Sequence, residues 1–247
     1  MLHLIICKLV KIKSGLMNGL RMVFYLWDTP DPPSETTGLT PVVETISPRV
    51  EYIWPGKPHE KVRAERFMAE FTGFIHVKKP GFYRFYVISS DGVLFWLDGN
   101  LLINAWHDTP PRLYMSGEIR LDQGYHRARL LYYNRHPFGQ VTLGWIKPDK
   151  TSEVIPGENL FFTIGEHVFI TNIPDNYRVS FIPLREELGP KTCISVNNIC
   201  MVRIPYNEQP YECLVSIYDD KNTVTAKLTE PFLIWGGDVF EYIVEKR

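Results

Sequence analysis

Apolar and polar positions along this chain alternate in short bursts, and nearly every burst reads as a β-strand. Between residues 71 and 146 these follow one another as "FTGFIHVKK" (71–79), "GFYRFYVIS" (81–89), "VLFWL" (93–97), "LLINAW" (101–106), "GEIRL" (117–121), "YHRARLLYY" (125–133) and "VTLGWI" (141–146). Turn signals separate them at Lys79-Pro80-Gly81, Asp122-Gln123-Gly124 and Pro137-Phe138-Gly139. Short strands at regular spacing predict an antiparallel sandwich or barrel rather than βαβ units. In "YHRARLLYY" the alternation breaks at Leu130-Leu131, where both faces turn apolar, as a central strand covered on both sides requires. The nearest approach to a helical period, "HEKVRAERFMAEF" (59–71), supports one helical turn at most. The stretch from Thr29 to Pro58, rich in Pro, Ser and Thr, is expected to be a long surface loop.

A boundary is expected near residue 165, after the polar, turn-rich "KPDKTSEVIPGENLFF" (147–162). From Glu166 a second series begins: "HVFITNI", "YRVSFIPL", "TCISV", "ICMVRIP", "ECLVSIYD", "TVTAKL" and "FEYIV". Strands this short and close predict a small Ig-like β-sandwich, by architecture only, because the Cys…Trp…Cys spacing of immunoglobulin domains is absent. The expected organisation is all-β: an N-terminal arm (1–18), a β-barrel or sandwich (19–165) and an Ig-like sandwich (166–247).

Composition narrows the partners. The 247 residues are 45% hydrophobic and 22% charged, which excludes disorder as the main state. With 27 basic and 28 acidic residues there is no polybasic field, so nucleic acid is not an expected partner. The apolar run Leu2–Cys7 is too short for a secretory core and follows no basic stretch, and bulky Ile6 stands where a lipoprotein signal needs a small residue. No credible signal peptide is read, and no apolar run approaches the roughly 18 residues of a membrane span.

Asn197-Asn198 reads as a two-residue hairpin turn. That register sets Cys193 opposite Val202 and diagonal to Cys200, with Cα atoms about 7–8 Å apart, beyond bridging reach. A bridge to Cys213 stays open. The chain has no GxSxG, Walker, GxGxxG or HExxH pattern, and its histidines are scattered, so it is not expected to be an enzyme.

The ordered set Thr72-Gly73, Gly81-Phe82-Tyr83, Ser90-Asp91-Gly92, Trp96, Asp98-Gly99, Trp106, Leu121, Gly124-Tyr125, Tyr132-Tyr133 and Leu143-Gly144-Trp145 resembles the PA14 family of β-barrel binding modules, over about residues 19–165. The resemblance implies a non-catalytic module, several of whose members bind sugars through calcium. In the adhesin members the ion is held by two consecutive aspartates joined by a cis peptide, with an asparagine and carbonyls from a second loop. Calcium wants 6–8 oxygen ligands, a shell that sugar hydroxyls can complete. By this likeness Asp91 and Asn134 are the candidate metal ligands. The chain departs from the pattern at the aspartate pair, where Ser90 replaces the first carboxylate, and Arg135 and His136 in the same loop would repel a cation. A Ser-Asp-Gly hairpin turn, with Gly92 supplying φ > 0, explains Asp91 without a metal.

Asp98-Gly99-Asn100 reads as a tight turn, and Trp96 and Trp145 as core by alternation. The candidate ligand-binding residues are Ser90, Asp91, Trp106, His107, Asp108, Asn134, Arg135 and His136. Trp106 either stacks on a ligand or caps the barrel end. The leading functional reading is a surface or extracellular protein that presents the module to carbohydrate or another surface ligand, for adhesion or recognition. The alternative is a structural subunit of a virion or extracellular filament. It would use the apolar "LHLIICKLV" arm and the Pro-rich loop to dock or exchange between copies in a homo-oligomer.

Overall fold

A computed structural model describes residues 5–246, whose regular structure is strands apart from two single-turn 3-10 helices. The chain divides into two compact units, residues 18–162, and residues 163–247 together with 1–17.

In the first unit two antiparallel sheets face each other, and neither closes into a barrel. One runs in the order Arg112–Leu121, Gly81–Ser89, Gly139–Ile146, Ser152–Val154, with Glu51–Trp54 also on Gly139–Ile146. The other runs Leu160–Thr163, Phe67–Val77, Gly124–Asn134, Val93–Leu97, Asn100–Ala105, and Leu20–Leu26 joins Phe67–Val77 and carries Pro41–Ser47. Strict alternation in Gly81–Ser89 sends Tyr83, Phe85 and Val87 inward, where they meet Phe71, Phe95, Leu130 and Trp145 in one core.

Leu130 and Leu131 are both buried, on opposite faces. Leu131 belongs to a second apolar layer with Tyr25, Trp27, Met68 and Tyr133, and Leu39 from the Pro-rich segment packs against it. Arg129 fastens that segment: its Nε lies 2.7 Å from Glu70 Oε1 and its second guanidinium arm 2.8 Å from Glu35 Oε2. The same guanidinium sits 4.6 Å over the Trp96 ring, so Trp96 is a half-buried outer residue and only Trp145 is core. Residues 29–58 are not one loop, since Pro41–Ser47 and Glu51–Trp54 are strands; β-branched pairs such as Val42-Val43 outweigh the flanking prolines. Residues 59–71 hold no helical turn, only a bridge between His59 and Val62 before the strand that starts at Phe67.

The second unit is a sandwich. One sheet runs Ile5–Lys13, Val239–Lys246, His167–Thr171, Ile199–Arg203; the other runs Lys191–Ile194, Arg178–Pro183, Tyr211–Tyr218, Val224–Ile234. Each strand expected after residue 166 is present, and one more comes from the segment expected to be an arm. Ile5–Lys13 pairs antiparallel with Val239–Lys246, placing Cys7 opposite Val244 and Leu9 opposite Tyr242. Residues 1–4 of that segment lie outside the described residues. A segment paired within its own chain is not offered for exchange, so the described part gives no support to the docking arm of a virion or filament. The first unit is thus inserted between the first and second strands of the sandwich. Just beyond these two strands, Ile164 N–H donates to Gly15 O at 3.0 Å.

Asp238 organises this junction. Its carboxylate is fully buried, accepting Gly15 N–H at 2.8 Å and Trp235 N–H at 2.9 Å, and it pairs with Lys11 Nζ at 2.7 Å. Gly236-Gly237 forms the turn before the last strand. Gly237 takes φ +96°, and a Cβ on Gly236 would lie 1.8 Å from Gly165 O.

Cys193 and Cys200 form a disulfide, with Cα atoms 5.7 Å apart, contrary to the expected register. The Asn197-Asn198 turn has both residues at positive φ, as a type I′ hairpin requires, yet the hairpin stays paired only at Val196 and Ile199. Beyond that point its strands leave for opposite sheets, and the two cysteines meet in the core between them. Cys213 remains free and buried, its thiol pushed up to about 12 by burial. Among the described residues no helix is long and apolar enough to cross a membrane.

Candidate ligand-binding site

Three loops of the first unit meet around Asp91. Asp91 N–H donates to Thr109 O at 2.8 Å, and Ser90 N–H donates to Gln140 O at 3.0 Å. Asp91 itself holds φ +60°, a left-handed conformation that Asp tolerates better than most side chains. Gly92 has ordinary φ, so the expectation that it supplies the positive φ is corrected. It is glycine for space, because a Cβ there would lie 2.0 Å from the Tyr133 ring.

The Asp91 side chain is buried and its oxygens are occupied. Oδ2 accepts Arg135 N–H at 2.8 Å, Oδ1 accepts Thr109 N–H at 3.4 Å, and His136 Nδ1 lies 3.2 and 3.3 Å from the two. Ser90 Oγ accepts Gln140 N–H at 2.7 Å. Asp108 accepts Tyr133 OH at 2.7 Å on one oxygen and meets Arg135 Nε at 3.0 Å on the other. Burial, and then the Asp108 carboxylate, holds the Tyr133 hydroxyl far above the usual phenol range, so it stays a donor.

Ser90, Asp91, Asp108 and His136 line an open pocket of about 390 Å³, with Arg135 behind Asp108. The other sequence candidates stand aside. Asn134 is fully buried, with its Oδ1 accepting Tyr132 OH at 2.9 Å and its amide donating to Ala64 O at 3.0 Å and to His136 O, so it shapes the loop rather than facing a ligand. Trp106 packs edge-on against Tyr133 at 4.7 Å and donates to Pro32 O at 3.3 Å, closing the end of the domain. His107 meets the Tyr114 hydroxyl at 3.2 Å, away from the pocket. The walls that sequence reasoning missed are Thr109, Pro110, Pro111 and Phe138. Their only signal was position, next to Asp108 and His136 in segments read as turns.

These residues do not fit calcium. The Ser90–Asp91 peptide is trans, the one cis peptide among the described residues being Gln209–Pro210. The pocket offers two carboxylates, each already met by a nitrogen donor, where calcium wants 6–8 oxygens. The Asn134 oxygen is spent on Tyr132.

A family model described as "PA14 domain" matches residues 18–159. A curated relative, the anti-sigma-I factor RsgI3 of Acetivibrio thermocellus, is 27% identical over 122 residues, which are 49% of this chain and 19% of that protein. The chain thus spans less than a fifth of the relative's length. Among solved structures, an anti-sigma factor domain-containing protein from Clostridium clariflavum is similar over 94% of this chain and 95% of its own, with 15% identity and TM-score 0.53. A PA14 sugar-binding domain from an RTX adhesin is similar over 59% of this chain and 98% of its own, with 12% identity and TM-score 0.52. At these identities the structural likeness speaks for the fold.

Proposed function

Because this chain belongs to the PA14 domain family, we propose that it is a non-catalytic carbohydrate-recognition protein working at a cell surface or in the extracellular space. The observation that carries the reading is the convergence of three loops on Asp91. They leave Asp108 and His136 at the mouth of a pocket walled by prolines and Phe138. Polar groups beside an apolar wall suit a sugar ring, which carries hydroxyls on its edge and C–H groups on its faces. The sugar-binding name of the adhesin neighbour supports the same reading. One neighbour is named for an adhesin and another for an anti-sigma factor, so recognition rather than adhesion as such is proposed.

The test is a glycan array probed with the full chain and with an Asp108→Ala, His136→Ala double variant. Retention on a defined set of saccharides by the parent and its loss in the variant, with the variant still folded by circular dichroism, is expected. A parent chain that retains no saccharide refutes the reading.

A further inference from the structure

Resting on that reading, we infer that the pocket takes neutral saccharides directly, with no bridging cation, through His136 Nε2 and the Asp108 carboxylate against the Phe138 ring.

Charge compensation inside the site comes first. Asp91 is buried to 2% exposure, and a carboxylate so placed needs donors around it. It has them from its own chain, in two backbone amides and the His136 ring. Asp108 is met by the Arg135 guanidinium and the Tyr133 hydroxyl. Arg135 is fixed in turn, donating to Pro30 O at 3.2 Å and lying 3.5 Å from Asp31. A divalent cation entering here would have to displace the imidazole N–H from one carboxylate and approach a fixed guanidinium at the other. Like charges a few ångströms apart repel strongly even where solvent partly screens them.

The same contacts set what the pocket can recognise. A carboxylate has only lone pairs to offer, so the hydrogen between Asp91 and His136 belongs to Nδ1. In the neutral ring Nε2 is then the acceptor, on a side chain that is 63% exposed. Asp108, 43% exposed, presents a second acceptor. Two acceptors lining one pocket suit a partner rich in hydroxyl donors. The Phe138 ring, 43% exposed, adds an apolar face to which sugar C–H groups can dock. A uronate or a sialylated sugar would bring a third carboxylate against these two, so anionic saccharides are selected against.

The experiment uses the full chain on an array of neutral and carboxylated saccharides, in calcium and in chelator, with thermal unfolding in the same two buffers. Neutral saccharides are expected to bind equally in both, with binding at least about tenfold weaker in His136→Ala and Phe138→Ala. Calcium should leave the parent's melting temperature unchanged. It should raise that of His136→Asp, in which a third carboxylate replaces the imidazole beside Asp91. Saccharide binding that vanishes in chelator and returns with calcium, or a calcium-dependent rise in the parent, overturns the inference while the carbohydrate reading stands. A preference for carboxylated saccharides overturns it too, and a His136→Asp variant indifferent to calcium overturns the role given to the imidazole. An array silent in both buffers removes the carbohydrate reading and the ligand part of the inference together. The calcium response then still decides whether the site compensates its own charge.

Discussion

Lys11 Nζ lies 2.7 Å from Oδ2 of the fully buried Asp238, tying the first strand of the sandwich to the turn that launches its last. Asp238→Ala should destabilise the sandwich by about 3 kcal/mol or more, because the N–H groups of Gly15 and Trp235 each lose an acceptor at about 1–3 kcal/mol apiece. Asp238→Asn should recover only part, since its amide would face a donor. Denaturant titration reads this as an earlier midpoint for one transition, with that of residues 18–162 unmoved.

A chain started at Met17 lacks the Ile5–Lys13 strand and leaves Val239–Lys246 paired on one side only. It also strips Cys7 and Leu9 from the sandwich core. Calorimetry should show the sandwich transition lost or markedly lowered, while the other unit, with its separate core, melts as before. Two unchanged transitions would contradict the inserted topology.

His126 introduces a pH dependence. Its Nδ1 lies 2.6 Å from Asp98 Oδ2 and its Nε2 2.9 Å from Asp122 O, two acceptors that only a doubly protonated ring can satisfy together. Burial by itself lowers the imidazole's pKa, but the hydrogen bonds to Asp98 and Asp122 outweigh it, and the net pKa is raised. The sign follows: the stabilisation is fully present below the ordinary histidine value of about 6.5 and is lost as pH rises through the raised folded value. The difference in stability between the parent and His126→Asn should therefore shrink with rising pH across that window, and a difference that grows instead would refute the assignment.

Gly92→Ala should cost about 1–3 kcal/mol, as overpacked cores do, because the new methyl group meets the Tyr133 ring. The ring cannot retreat and keep its hydroxyl on Asp108, so saccharide binding should weaken along with stability. Thermal unfolding and the glycan array measure the two together.

The Cys193–Cys200 bridge closes a loop of sequence separation 7, which in the chain-entropy model is worth about 2.5 kcal/mol. The Cys193→Ser, Cys200→Ser double variant, or the parent in reductant, should unfold the sandwich at correspondingly lower denaturant. Equal midpoints with and without reductant would argue that the bridge is unformed in solution.

Where a strand's burial follows from its own apolar pattern, that pattern is enough to place it. Gly81–Ser89 and Val93–Leu97 fall where alternation places them, and Leu130-Leu131 announces its double cover. What eludes reading is which neighbour a segment takes. Ile5–Lys13 carries a strand's composition, but its neighbour lies at the other end of the sequence. The cysteine pair departs from the hairpin register because the two strands part beyond Val196 and Ile199. In the pocket, Asp91 and His136 come into view through the family resemblance, whereas Phe138 and the Pro110-Pro111 wall acquire a role only once three loops are brought together.

The inserted topology also orders events on the ribosome. Val239–Lys246 is the last described strand to be made, so Ile5–Lys13 emerges with its backbone groups unsatisfied and must wait while everything between is synthesised. Meanwhile residues 18–162 already contain every strand of their own core. The nascent chain therefore carries a finished inner body while its outer one waits half-built, and an orphan edge rich in Ile, Leu and Val is the segment a holding chaperone would shield.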